Sequence, residues 1–389
     1  MDGVGPSSRL DVLLRDIDLP PSAYERAERR YEDLGQWLAR PASTIRQHDA
    51  HVFVQGSFAL GTAIRPVNAH EEYDLDFTCK LRAGVSRDTH TQAQLKELIR
   101  VELEIYRRAR QIENQLEPKH RCWRLGYQDE LPFHMDVVPG IKAGEARRGY
   151  LAERMIGEGI ESGLAANIAR RALWITDDRR ADFDSLGSEW PSSNPGGFQA
   201  WFLSRLRPPT GGILLEKAQV DSMPVFRALE PLQRVVQLLK RHRDVMFADQ
   251  SDLKPASILI TTIAGRASRY GEGLELTLRR ALAELRVVRE SGTFEIKNPI
   301  NPDENFADRW TGVTCPLRIN FHAWVDAVQV AFSAYLTETV PQRLVEVASD
   351  DFGVHMSGES ARSLTGAAVS ISPARRVEVE DTAPPPWRY

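Results

Sequence analysis

Residues 72–80 read Glu72-Tyr73-Asp74-Leu75-Asp76-Phe77-Thr78-Cys79-Lys80, and this stretch decides the fold class. Tyr73, Leu75, Phe77 and Cys79 alternate with Asp74, Asp76, Thr78 and Lys80, the period of a strand with one packed face. Residues i and i+2 of a strand point the same way, so Asp74 and Asp76 share a face. Neighbouring carboxylates repel unless positive charge sits between them. A divalent metal is the usual solution. An oxygen-only donor set, with no His or Cys read nearby, suits Mg²⁺ or Mn²⁺. Taken alone, the DxD is more often the pattern of a solvated strand face.

Two further pieces narrow the reading. Upstream, the strand His51–Gln55 ends at Gly56-Ser57. Glycine there lets backbone amides approach a phosphate, and the serine hydroxyl can donate to a phosphate oxygen. No GxxxxGK[ST] run occurs, so this is not a Walker loop. Downstream, a third strand from Phe133 to Val138 carries Asp136 and ends at Pro139-Gly140. The order strand–GS, strand–DxD, strand–D is far more selective than any one piece. Three carboxylates suit a two-metal site that activates a hydroxyl and holds a triphosphate for in-line displacement.

Around this centre, Ser22 and Glu25 read as a capping box opening a helix over 22–40, which Pro41 stops. A second helix spans 91–113. Residues 177–197 are loop-rich and lead into an aromatic block, Trp190 to Phe202, expected to pack between lobes. From about residue 226 the periodicity becomes helical, through Leu232 to Leu239, then a helix opened by Pro255, then Phe321 to Tyr335. Asn298-Pro299-Ile300-Asn301-Pro302 reads as a rigid turn. Periodicity fades after about 350, and the Pro-rich end reads as a mobile tail. The small clusters Arg107-Arg108, Arg147-Arg148 and Arg170-Arg171 read as solvated helix faces.

Composition sets the outer bounds. The chain has 389 residues, 42% of them hydrophobic, enough for a bilobal core. A net charge of −4 argues against a nucleic-acid-coating protein. Cys79, Cys122 and Cys315 lack CxxC spacing, and their sparse count fits a reducing cytoplasm. No run approaches the ~18 apolar residues of a membrane span.

The pieces together resemble the nucleotidyltransferase superfamily that includes DNA polymerase beta. More narrowly, they resemble the cGAS/DncV-like nucleotidyltransferases of the bacterial anti-phage operons known as CBASS. The match rests on Gln55-Gly56-Ser57-Phe58, Leu60-Gly61-Thr62, Glu72 to Asp76 and Phe133 to Pro139. It continues through Leu238 to Arg243 and Asn298-Pro299 to Asp308. The resemblance implies an α+β bilobal fold, with a mixed central sheet and an oligoadenylate-synthetase-like helical C-terminal lobe. It implies a catalytic lobe over 1–225 with an N-terminal spine helix across both lobes, a helical lobe over 226–350 and a flexible tail over 351–389. Asp74, Asp76 and Asp136 take the family's metal-binding and catalytic positions, with two Mg²⁺ ions. Gln55, Gly56, Ser57, Lys240 and Ser257 take its nucleotide-binding positions. The implied reaction makes a cyclic di- or trinucleotide from ATP and GTP, with a preference for a cyclic GMP–AMP type. Also implied are an antiviral role in the cytoplasm, a monomer, no DNA activator, no membrane, and room for an operon-encoded regulator or effector. The rivals are an RNA-extending poly(A)- or CCA-adding enzyme and an inactive nucleotide-binding protein on the same fold. One departure is the 16-residue gap between Ser57 and Asp74, which a loop over Arg65–Glu72 would absorb.

Overall fold

The computed structural model describes residues 9–68, 72–127, 133–207, 220–224, 226 and 228–366. Its first part runs α1 (Arg9–Ile17), α2 (Pro21–Ala39), β1 (Ala50–Val54), α3 (Gly56–Leu60), β2 (Tyr73–Leu81), α4 (Gln92–Ala109), β3 (Glu117–Pro118), β4 (Trp123–Tyr127) and β5 (Phe133–Lys142). It continues through α5 (Glu145–Gly157), α6 (Ser162–Ala169), β6 (Leu173–Ile175), β7 (Ser192–Ser193) and α7 (Pro195–Leu206). The second part is mainly helical: α8 (Pro231–Met246), α9 (Ser257–Ala267), α10 (Leu274–Glu290), the hairpin β8 (Lys297–Asn298) and β9 (Asn301–Asn305), α11 (Pro316–Thr337), α12 (Pro341–Phe352) and α13 (Gly358–Thr365).

The sheet is mixed, in the order β1-β2-β5-β4-β3, with β6 beside β5 and β7 beside β6. β2 runs parallel to β5 and antiparallel to β1. The alternation expected for β2 holds: Tyr73, Leu75, Phe77 and Cys79 are buried. β5 is longer than its sequence suggests, continuing through Pro139-Gly140. Its outer neighbour changes there from β4, paired up to Val137, to β6, paired from Gly140. A proline at the changeover sacrifices no outer ladder bond.

The N-terminal spine is two helices, not one. Pro20 is the N-cap of α2 and Pro21 its first residue, so Ser22 lies inside the helix and makes no cap bond. Proline at the first position wins because its φ is already helical and its missing N–H needs no partner. α2 packs on the sheet, where the Tyr31 hydroxyl donates to Val52 O at 3.1 Å. α1 belongs to the helical side, where Arg9 donates to Tyr335 O at 2.8 Å. The lobes also meet where Trp201 of α7 packs on Gly265 of α9, since a Cβ at Gly265 would lie 2.7 Å from the indole. The hairpin β8–β9 docks on α5, with Tyr150 donating to Asp303 at 2.5 Å.

Residues 351–366, read from sequence as the start of a tail, instead close α12 and form α13, with Phe352 and Ala361 fully buried. Phe352 packs tilted or edge-on against Phe332, Tyr335 and His242, which holds this end in the helical core. The remainder of the expected tail, 367–389, lies outside the described residues.

His242, on α8, is 3% exposed against Phe352, and burial pushes its imidazole down to about 4. An unfolded histidine titrates near 6.5, so the folded chain binds fewer protons between those values. The resulting stability is fully present above pH 6.5 and is lost as pH falls through 4, a difference of roughly 3 kcal/mol. His242→Leu should therefore flatten the acid limb of a urea-unfolding stability profile. An unchanged limb would assign acid lability to other groups.

Candidate active site

The site begins where β1 hands over to α3. Gln55 N donates to Asp76 O at 2.8 Å, so the end of β1 is stitched to the middle of β2. The next residue must turn away at once. Gly56 does so at φ +64°, and a Cβ there would lie 2.2 Å from Asp76 Oδ2. Only glycine meets both demands. Ser57 then opens onto the cleft, its carbonyl fixed by Thr62 N at 2.9 Å.

The parallel register of β2 and β5 assembles the acids. Asp74 lies opposite His134 and Asp76 opposite Asp136, so all four side chains share one face. Ligand atoms of Asp74, His134 and Asp136 lie within 4.8 Å of one another. His134 bridges two acids, with Nδ1 at 3.0 Å from Glu72 and Nε2 at 3.0 Å from Asp74. Burial works against its charged form, but the hydrogen bond to Asp74 carries its pKa above the ordinary value. Arg124 of β4 grips Asp136 through two bonds of 2.7 Å. Asp76 sits between Asp74 and Asp136. Among the described residues its carboxylate has no hydrogen-bond or ion-pair partner. Burial, followed by the charges of Asp74 and Asp136, pushes its carboxyl up to about 8.

The opposite wall comes from the helical lobe. Lys240 of α8 is 7% exposed and donates to Thr62 O at 2.9 Å. Burial, reinforced by Arg243, brings its ammonium down to about 8. Arg243 donates to Ser257 Oγ at 2.8 Å and to Pro255 O at 3.0 Å. Pro255, read as part of the first turn of α9, thus precedes the helix and accepts from α8. Lys254 pairs with Asp244 at 3.1 Å. Between the walls lies a cleft of about 420 Å³, with Gly56, Ser57, Asp74 and Asp76 on one side and Lys240, Arg243, Lys254 and Ser257 on the other.

Six of the residues read from sequence meet in this cleft. Asp136 shares the acidic face but sits behind it, held by Arg124. Gln55 does not line the cleft: its Oε1 accepts from Thr78 Oγ1 at 2.9 Å. The oxygen-only donor set is corrected, because the strand register brings His134 beside Asp74. Sequence reasoning also passed over Arg124, Arg243 and Lys254. His134-Met135-Asp136 repeats the i, i+2 spacing of Asp74-Leu75-Asp76, a signal that could have found His134. Arg124 left none, since its role depends on cross-strand register. An unpartnered carboxylate between two others, opposite buried cations, has the charge and the oxygen donors that would hold a hard divalent ion.

Residues 50–139 match the family model described as cyclic GMP-AMP synthase DncV-like, nucleotidyltransferase domain. That span holds Gly56, Ser57 and all three aspartates. A c-di-GMP synthase of Roseivirga ehrenbergii is 28% identical over 310 residues, 77% of this chain and 72% of its own length. The cyclic dinucleotide synthase CdnG of Bradyrhizobium diazoefficiens is 26% identical over 317 residues, 77% of this chain and 70% of its own. The solved structure of Bradyrhizobium diazoefficiens CdnG with GTP superposes with a TM-score of 0.64 at 21% identity, covering 92% of this chain and 98% of that one. Vibrio cholerae DncV with the linear intermediate pppA(3′,5′)pG superposes with a TM-score of 0.55 at 14% identity, covering 91% and 96%. The fold is therefore that of the DncV and CdnG nucleotidyltransferases, and the named relatives are cyclic dinucleotide synthases.

Gly56→Ala should cost roughly 1 kcal/mol or more from backbone conformation alone, before the clash with Asp76 is added. Urea unfolding checks this. A variant as stable as the parent, with an intact cleft, would contradict the close approach of Gly56 and Asp76.

Proposed function

We propose that this chain, whose nucleotidyltransferase domain is of the DncV-like type, joins two purine ribonucleoside triphosphates into a cyclic dinucleotide with release of pyrophosphate. The observation that carries the reading is the pair Asp74 and Asp76 set across one cleft from Lys240 and Ser257, with Asp136 beside Asp76 in the strand register. We further take residues 1–225 as the catalytic lobe and 226–350 as the helical lobe that closes on it. One relative is named as a c-di-GMP synthase and the solved CdnG structure holds GTP, so c-di-GMP is the product to seek first, ahead of the cyclic GMP–AMP read from sequence. A signal of this kind suits bacterial antiviral defence, made by a cytoplasmic monomer without a DNA activator. Among the described residues no helix is long and apolar enough to cross a membrane.

Asp74, Asp76 and Asp136 would hold divalent cations, Mg²⁺ by preference. Such ions, when bound, neutralise a triphosphate and make a ribose hydroxyl more acidic. The chain's own groups do the rest. Ser57 donates its hydroxyl to a phosphate oxygen. Lys240 adds a positive charge fixed by Thr62, and Ser257 is held in place by Arg243. Asp136, aimed by Arg124, faces the attacking hydroxyl, whose oxygen displaces pyrophosphate from the donor's α-phosphorus. Rebinding of the linear product, with its free hydroxyl toward the same acids and its own 5′-triphosphate in the donor position, closes the ring as that hydroxyl displaces a second pyrophosphate. Most of the rate enhancement is positioning and charge compensation.

Incubation with all four ribonucleoside triphosphates and Mg²⁺, then phosphatase and mass spectrometry, should leave a cyclic dinucleotide. Extension of a supplied RNA primer instead would make the chain an RNA-extending enzyme. Asp74→Asn and Asp76→Asn should each lower the rate at least about a hundredfold while keeping the fold. A fully active variant of either would end the cation assignment.

Lys240 predicts a pH signature. Its charged form is lost as pH rises through about 8, so triphosphate affinity should weaken between pH 7 and 9. Titration of a fluorescent GTP analogue reads this. Lys240→Met should bind more weakly, with a flat profile. A parent-like slope in that variant would remove Lys240 as the titrating group.

A further inference from the structure

Asp136 differs from the other two acids in having a permanent cation attached. Arg124 lies directly opposite it in the antiparallel register of β4 and β5. Arg124 Nε reaches Oδ1 and Nη2 reaches Oδ2, each at 2.7 Å, so both carboxylate oxygens are engaged by one planar fork. Asp136 is 8% exposed, and the pair is screened on one side by the sheet. A guanidinium cannot shed its proton, so its charge leaves Asp136 only if the side chain moves. Asp76, by contrast, has no partner among the described residues, and Asp74 is shared with a histidine.

A divalent ion at Asp136 therefore meets an occupied carboxylate with a like charge beside it. The geometry points to Arg124 as a positioning residue that aims Asp136 and makes cation occupancy there conditional on a bound triphosphate. The inference rests on the reading of the acidic face as a divalent-cation site. Without nucleotide, the guanidinium opposes the second positive group. With nucleotide, the phosphate charge in the cleft offsets both. Two fixed hydrogen bonds also keep Asp136 in one rotamer, ready for the attacking hydroxyl. The device prevents the acidic face from saturating with cations before substrate arrives.

The test measures Mn²⁺ binding to the full chain by calorimetry. It is run alone and with a guanosine triphosphate carrying a methylene bridge between the α- and β-phosphorus atoms. Arg124→Gln should bind Mn²⁺ alone roughly tenfold tighter than the parent, the scale on which ligand-orienting neighbours act. The analogue should tighten Mn²⁺ binding strongly in the parent and little in Arg124→Gln. Arg124→Lys keeps the charge without the fork, so it should fall between, and it decides the matter on the same measure if Arg124→Gln does not fold. Asp76→Asn is the control. If it weakens Mn²⁺ binding while both Arg124 variants match the parent, the inference is overturned and the cation site stands. If the parent binds no Mn²⁺ even with the analogue present, or Asp76→Asn binds it as the parent does, the cation site itself falls and the inference with it.

Discussion

Carboxylate repulsion governs this molecule. Asp74, Asp76 and Asp136 are brought to one sheet face by the parallel pairing of β2 with β5, and that pairing cannot shift by one residue without turning an entire buried row outward. The apolar backs of both strands thus enforce a charge arrangement that is unfavourable by itself. Neighbouring features respond to it. His134 bridges Glu72 and Asp74, and Arg124 forks onto Asp136. Asp76 is left between them, close enough to Gly56 that no side chain fits there. Stability is traded locally for a concentrated negative charge, the feature on which the proposed cation site rests.

The helical lobe complements this face in charge. Lys240 and Arg243 stand near the end of α8 and are almost fully buried; Lys240 donates to Thr62 O, and Arg243 to Asp244, Pro255 O and Ser257. Burying such cations opposite an acidic face is costly for each wall taken alone. The arrangement makes sense when a polyphosphate with its counter-ions lies between them. The contacts that align the walls lie away from the chemistry: Trp201 against Gly265, the β8–β9 hairpin on α5, and α1 on the helical core. A cleft built between two bodies can admit one nucleotide after another, as two successive bond formations at one site require.

Local patterns were legible in the sequence, and non-local ones were not. The alternation of Tyr73 to Lys80 gave β2 and the shared face of its aspartates, because a strand's period is written in adjacent residues. The GS turn was legible for the same reason. Gln55 turns away from the cleft to accept from Thr78, a contact revealed only by the β1–β2 pairing. Arg124 depends on cross-strand register, which no single segment carries, whereas the i, i+2 spacing of His134 and Asp136 puts those two on one face but not beside Asp74. The capping box at Ser22 failed because Pro21 offered the helix a better first residue. The end of the chain was underestimated from 351 to 366, where Phe352 and Ala361 are too few and too scattered to show a period yet are held by a core formed elsewhere.

The central claim is that the three aspartates act together by holding cations against a triphosphate. Crystals of the chain grown with the methylene-bridged guanosine triphosphate and Mn²⁺ test it most directly, through an anomalous difference map at the manganese edge. The account predicts anomalous peaks between the phosphate chain and the carboxylates of Asp74, Asp76 and Asp136, with the triphosphate extending toward Ser57 and Lys240. A nucleotide bound in the cleft with no manganese peak in contact with those carboxylates would contradict it.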